Sequence, residues 1–281
     1  QKDTTDCKII AKNFHKFIDV INGNNDDSSK MNHEKYLNKF NLTQKIQSSP
    51  LAIELSVFNS IADAYINGNI TLLEIRFNPM LRNNSGYFDL DMIISHACIG
   101  LQKAKSIYPV KAGLIISTDR SFDEKTSLIL AEKASKFMNV GVVGFDMSGG
   151  NTKDFDITAF KPAFNLAKDN GLGITIHTGE VSDISLSETL YILENFSPDR
   201  IGHGIKMVQD PDLMRVAEKN NIHFEVCPTS NVVTKCVDSM SEFGHIFSEF
   251  DKYDVSYSIN TDGTVFLNTD VKSEYDRLIA H

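Results

Sequence analysis

KAGLIISTDRSFDEKTSLILAEKASKFMNVGVVGFDMSGG, residues 111–150, holds the pattern that decides the fold. Lys111–Ser117 is a short apolar run of the kind that forms a buried strand, Glu124–Phe137 repeats its apolar residues at helical spacing, and Val142–Met147 is a second strand-like run. Strand, helix, strand in so short a span reads as a βαβ unit, whose crossover lays the two strands parallel in one sheet.

The alternation continues in both directions. Helical periodicity covers Leu51–Ile66, Leu90–Ser106, Asp156–Asp169, Leu186–Glu194 and Asp210–Asn220. Strand-like runs fill Ile70–Phe77, Gly173–His177, Arg200–Ile205, Ile222–Cys227 and Val255–Asn260, which brings the strands to seven. Seven units in 281 residues are too many for most open doubly wound sheets, so a (β/α)8 TIM barrel is expected. The chain reads as one domain over residues 1–281, with residues 1–50 a mostly helical and loop lead-in. Within that lead-in the polar stretch Asn22–Lys30 has nothing to anchor a core and reads as a loop.

Composition narrows the function. The hydrophobic fraction of 41% and charged fraction of 23% are those of an ordinary folded protein. A net charge of −9 and a pI near 5.4 exclude a nucleic-acid polymer or an anionic membrane as the expected partner, because neither finds a basic face. No apolar run approaches the roughly 18 residues that span a bilayer, and the first 21 residues lack the pattern of a secretory signal. Cys7, Cys98, Cys227 and Cys236 are too few and too scattered for a disulfide scaffold, which points to a reducing, cytoplasmic setting. No Gly-x-Gly-x-x-Gly or Walker loop follows any strand, so a nucleotide cofactor is not indicated.

In a β/α barrel the site is built from the C-terminal ends of the strands. Here those ends read Arg76-Phe-Asn-Pro79, Ser117-Thr-Asp-Arg120, Asp146-Met-Ser-Gly-Gly150, His177-Thr-Gly-Glu180, His203-Gly-Ile205, Cys227-Pro-Thr-Ser-Asn231 and Asn260-Thr-Asp-Gly263. His177, Glu180, His203 and Asp262 are of the types that bind zinc or move protons, which suggests metal-assisted hydrolysis. Taken singly, each histidine is more often a satisfied core or surface residue, and Asp146 and Asp262 could serve only as helix caps. Their clustering at one end of successive strands favours a site.

The strings Leu73-Glu-Ile-Arg-Phe-Asn-Pro79, Gly144-Phe-Asp-Met-Ser-Gly149, His177-Thr-Gly-Glu180, Arg200-Ile-Gly-His-Gly204, Phe224-Glu-Val-Cys-Pro-Thr-Ser-Asn231 and Ser258-Ile-Asn-Thr-Asp262 resemble, in order and spacing, the signature blocks of the adenosine deaminase family. The resemblance runs from about Glu34 to the end. It implies Zn2+ as cofactor, with His177 and Asp262 as metal ligands and Glu180 and His203 as catalytic residues, Glu180 protonating purine N1 and His203 standing beside the attacking water. It places Gly149, Asp146 and Gly263 at the substrate; a glycine at 149 lets the backbone lie against a flat ring. The implied reaction is hydrolytic deamination of a small-molecule purine nucleoside, adenosine to inosine and ammonia, in purine salvage. An adenine or N6-modified AMP deaminase, and a purine-binding barrel without turnover, are the alternatives.

Two features depart from the family pattern. The family opens with a strand ending in His-x-His that supplies two zinc ligands, and this sequence has no His-x-His; His15 and His33 stand alone. The expectation is of a chain lacking that first strand, or of another segment in its place. Gly263 stands where many relatives have a second aspartate, either a tolerated loop change or one that alters the choice of purine.

Overall fold

The computed structural model of the chain describes residues 43–83, 89–180 and 185–281. The Asn22–Lys30 loop, His15, His33 and Cys7 lie outside the described residues. In chain order the elements are α1 (Pro50–Gly68), β1 (Leu72–Phe77), α2 (Leu90–Ile107), β2 (Lys111–Asp119), α3 (Glu124–Lys136), β3 (Val142–Ser148), α4 (Lys161–Asp169), β4 (Gly173–Thr178), α5 (Leu186–Asn195), β5 (Arg200–His203), α6 (Pro211–Lys219), β6 (His223–Val226), α7 (Pro228–Val233), α8 (Phe243–Lys252), β7 (Tyr257–Ile259), α9 (Thr264–Leu267) and α10 (Val271–Ile279), with short 3-10 turns between some of them.

The seven strands form one parallel sheet in sequence order, each paired with the next, and the sheet curls into a half-barrel. All seven fall where the β-branched runs predict them. Their register is what positions the site: Met147 lies opposite Ile176, His177 opposite Gly202 and Thr178 opposite His203. Among the described residues no pairing joins β7 to β1, so these two strands are the edges.

Burial follows that topology. β2 is buried over six consecutive residues, as a parallel strand covered on both faces should be, with α3 packed against it and against β3. The edge strands β1 and β7 are mostly half-exposed. Phe145, Phe164 and Phe196 form a run of edge-to-face rings that ties β3 to α4 and to the end of α5.

Several boundaries shift by a residue or two from those expected, and two differences concern the turns that follow strands. β5 ends at His203, whose φ of 64° turns the chain, and Ile205–Gln209 is a 3-10 turn. Asp156 opens a 3-10 turn, and the α-helix begins only at Lys161, with Pro162 in its first turn. α7 to α10 have no counterpart among the helices expected from the sequence. The suggestion that Asp146 and Asp262 act as helix caps fails: Asp156 caps the segment after β3, and α9 has no side-chain cap.

Candidate active site

Two groups of polar side chains gather at the C-terminal ends of the strands. The first is an ion-paired cluster. His177 at the end of β4 directs Nδ1 to Asp146 Oδ1 on β3 at 3.0 Å. Asp146 is fully buried and takes a second hydrogen bond from Ser117 on β2 at 2.8 Å. Arg76 at the end of β1 reaches across the sheet, 3.6 Å from Asp146 and paired with Glu225 on β6. Arg200 on β5 joins Glu225 to Glu74, at 3.0 and 2.5 Å.

Burial alone would push the Asp146 carboxyl up, but His177 and Arg76 beside it outweigh that and hold it down at about 2. The same contact acts on His177: burial pulls its imidazole down, and Asp146 more than offsets this and leaves it above the ordinary histidine value. Glu225 is likewise held below the carboxylate range, because Arg76 and Arg200 overcome its desolvation. These charges are mutually satisfied, which is what makes burying them tolerable.

The second group is a buried pair on neighbouring strands. His203, 2% exposed, and Glu180, 6% exposed, approach to 3.6 Å through Nε2 and Oε2. Asn231 on α7 donates to His203 Nδ1 at 3.1 Å, which leaves Nε2 as the protonated nitrogen facing Glu180. Cys236 donates its thiol hydrogen toward Glu180 at 3.9 Å, and burial with the Glu180 charge pushes that thiol up to about 12, so it stays protonated. The imidazoles of His177 and His203 lie with centroids 5.4 Å apart, which joins the two groups into one site.

Two glycines are required by what surrounds them. Gly149 has φ of 88°, and a Cβ there would come within 2.7 Å of Asp119 Oδ2. Gly202, opposite His177 in the register, would place a Cβ 3.1 Å from the His177 ring, so the glycine of Arg-Ile-Gly-His makes room for the neighbouring imidazole. His203 and Asp262 both adopt left-handed backbone, with φ of 64° and 54°, a conformation that non-glycine residues hold only where the surroundings enforce it.

Of the residues singled out from sequence, His177, Glu180, His203 and Asp146 come together. Asp262 lies past β7 and accepts a hydrogen bond from Ser230 on α7 at 2.7 Å. Gly263 follows it as the residue that opens α9. Arg76, Glu225, Ser230, Asn231 and Arg120 are site-building residues to which the sequence reading gave no role. Arg120, fully buried, donates to the His177 carbonyl at 2.6 Å, to the Gly149 carbonyl at 3.3 Å and to Glu188 at 3.5 Å. Its signal was visible as a lone cation at a strand end, though not its partners.

A metal tests the donor set directly. Arg76 Nη1 is 3.3 Å from both ring nitrogens of His177, which places it over the ring face; in the ring plane it would collide with the carbon between them. Asp146 on Nδ1 is the usual support of a histidine that binds a metal through its other ring nitrogen. Yet among the described residues no three His, Cys, Asp or Glu side chains converge, whereas a catalytic zinc takes about three protein ligands. His177 suits one ligand position, and the described residues alone do not complete the set.

The family model described as adenosine deaminase matches residues 12–281. The chain belongs to the adenosine deaminase family. Adenosine deaminases of Clostridium botulinum strain 657 and Vibrio atlanticus are each 32% identical to it, over 246 and 248 residues; these cover 87% and 88% of this chain and 72% of each relative. Among solved structures, the Arabidopsis N6-mAMP deaminase MAPDA superposes with a TM-score of 0.82 at 25% identity, covering 98% of this chain and 81% of that one. Arabidopsis ADAL complexed with IMP also has a TM-score of 0.82 at 25% identity, over 95% and 76% of the two chains. An Arthrobacter aurescens adenine deaminase shares the fold, with a TM-score of 0.80 at 17% identity over 94% of this chain and 83% of that one. Membership makes this chain an aminohydrolase. No helix of the described residues is long and apolar enough to cross a membrane.

Proposed function

We propose that this enzyme deaminates adenosine hydrolytically to inosine and ammonia, as a step of purine salvage. The observation that carries the reading is the buried Glu180–His203 pair at 3.6 Å, set beside an oriented His177. Water adds to purine C6, N1 takes a proton, and the C6–N bond breaks as ammonia leaves. Glu180 holds the proton at N1, where a buried carboxyl bonds the ring without competition from solvent. His203, fixed by Asn231, stands beside the attacking water and stabilises developing charge. Gly149 lets the backbone lie against the purine, Gly263 stands near the substrate, and Asp146, with no exposed surface, acts on it through His177. Zinc, when bound, supplies the Lewis acidity that lets water ionise near neutral pH, and His177 and Asp262 are the described residues that would help hold it.

The 32% identity to curated adenosine deaminases supports adenosine over the nucleotide substrate of the Arabidopsis neighbours, which stand at 25%. Three buried free thiols, Cys98, Cys227 and Cys236, support a cytoplasmic location. The test follows the fall in absorbance as purified chain, supplied with zinc, meets adenosine, AMP, N6-methyl-AMP or adenine, with Glu180→Ala as control. Turnover of adenosine above the others and its loss in Glu180→Ala are expected; preference for a nucleotide or for adenine, or turnover that survives Glu180→Ala, would overturn the reading.

A further inference from the structure

Glu274 is a carboxylate in the first turn of α10 with no exposed surface, yet no reaction step uses it. Its Oε2 accepts from the backbone N–H of Thr229 at 2.9 Å, and its Oε1 accepts from the hydroxyl of Thr269 at 2.5 Å. Arg277, one turn on, donates to both threonine hydroxyls, at 2.6 and 3.1 Å, and lies 4.0 Å from the carboxylate.

The contact with Thr229 matters because of where Thr229 sits. It is in the first turn of α7, whose own N-cap residue, Cys227, makes no side-chain hydrogen bond to the helix. The first N–H groups of a helix need an acceptor, and a carboxylate there also complements the helix dipole. Glu274 supplies it from a distant part of the chain. The next two residues of that turn are Ser230 and Asn231, the partners of Asp262 and His203. From Asp262 the chain runs through α9 to α10, so Glu274 closes a ring: Asp262, α9, α10, Glu274, α7, Ser230 and back to Asp262.

The geometry points to Glu274 as a positioning residue for the deamination site: by capping α7 it fixes the seats of Ser230 and Asn231, and through them the placement of Asp262 and the ring orientation of His203. This rests on the proposed deamination for its kinetic arm only.

The experiment uses the full chain, labelled with 15N, at one neutral pH. The His203 imidazole 15N shifts report which ring nitrogen carries the proton, and kcat and KM on adenosine are measured alongside. In Glu274→Ala the His203 shifts should move and kcat should fall by about tenfold or more while KM changes less, as expected when a reacting group is misplaced. Glu274→Gln keeps one acceptor oxygen and should lie between. Leu130→Ala, which opens the buried core under α3 without touching α7, should lower the melting temperature and leave the His203 shifts unchanged. The proposal is overturned if the His203 shifts in Glu274→Ala stay as in the wild type, or if they move equally in Leu130→Ala. Should Glu274→Ala not fold, Glu274→Gln decides by the same shifts. If the wild type turns over none of the purines, the deamination reading fails, and the His203 shifts alone decide the role of Glu274.

Discussion

The two halves of the site are built on opposite principles. On one side Arg76, Asp146, His177 and Glu225 form a closed network of charges from β1, β3, β4 and β6. On the other, Glu180 and His203 face each other at 3.6 Å, supported by the neutral groups of Asn231 and Cys236. Opposite charges on either side of a group fix its place, and this suits orientation. Charge pairing thus builds the scaffold of the site, and the residues proposed to move protons lie next to it.

The largest break in that comparison comes from the proton-moving half. Glu180→Gln keeps the shape and removes the acid, so kcat should fall by roughly 10²–10⁴-fold with little change in melting temperature. A loss of stability as large as the loss of rate would show that Glu180 belongs to the scaffold instead.

The charged half should answer in the opposite manner. Glu225→Gln leaves Arg76 and Arg200 without their shared carboxylate and should cost about 1.5–3 kcal/mol of stability in denaturant unfolding. The pH dependence follows from the direction of its shift. Glu225 is held below its ordinary 4.5, so its contribution is complete above that value and is lost as pH falls through the lower folded value. Wild-type stability should therefore drop on acidification below about pH 4.5 more steeply than that of Glu225→Gln; parallel curves would mean that the ion pair contributes nothing measurable.

A smaller effect sharpens the boundary between the halves. Gly202→Ala sets a methyl group 3.1 Å from the His177 ring, which can shift by a few tenths of an ångström, so a cost of about 1 kcal/mol is expected. Activity should suffer more than stability, because the displaced ring is part of the site; a variant with full activity would show that the position of His177 is not critical. Smallest of all, Leu72→Ser on the exposed edge strand should change stability by no more than about 0.5 kcal/mol.

Much of this was legible in the chain. The seven strands, and the clustering of His177, Glu180 and His203 at their C-terminal ends, follow from periods of two and 3.6 residues and from short polar strings. α8 was legible too: Phe243, Ile246, Phe247 and Phe250 stand at helical spacing, a pattern the strand-by-strand reading passed over. α7 was not, because Pro-Thr-Ser-Asn-Val-Val is too short for a period and reads as a turn. Nor was the use of Asp146. As a residue type it suits a helix cap, and only the neighbouring strands show that its partners are Ser117 and His177.

The alternation of strand and helix, the parallel sheet and the kinds of side chain delivered to its C-terminal end follow from the order of residues alone. Those properties are local, set by which residues within a few positions can be buried together. The tertiary structure decided which side chains meet: that Arg76 spans from β1 to β6, that Gly202 clears space for His177, and that Glu274 caps a helix far back along the chain. The reason is that hydrogen bonds and ion pairs act over about 3–4 Å of space, whatever the separation along the chain, and only strand order and register bring such residues within that range.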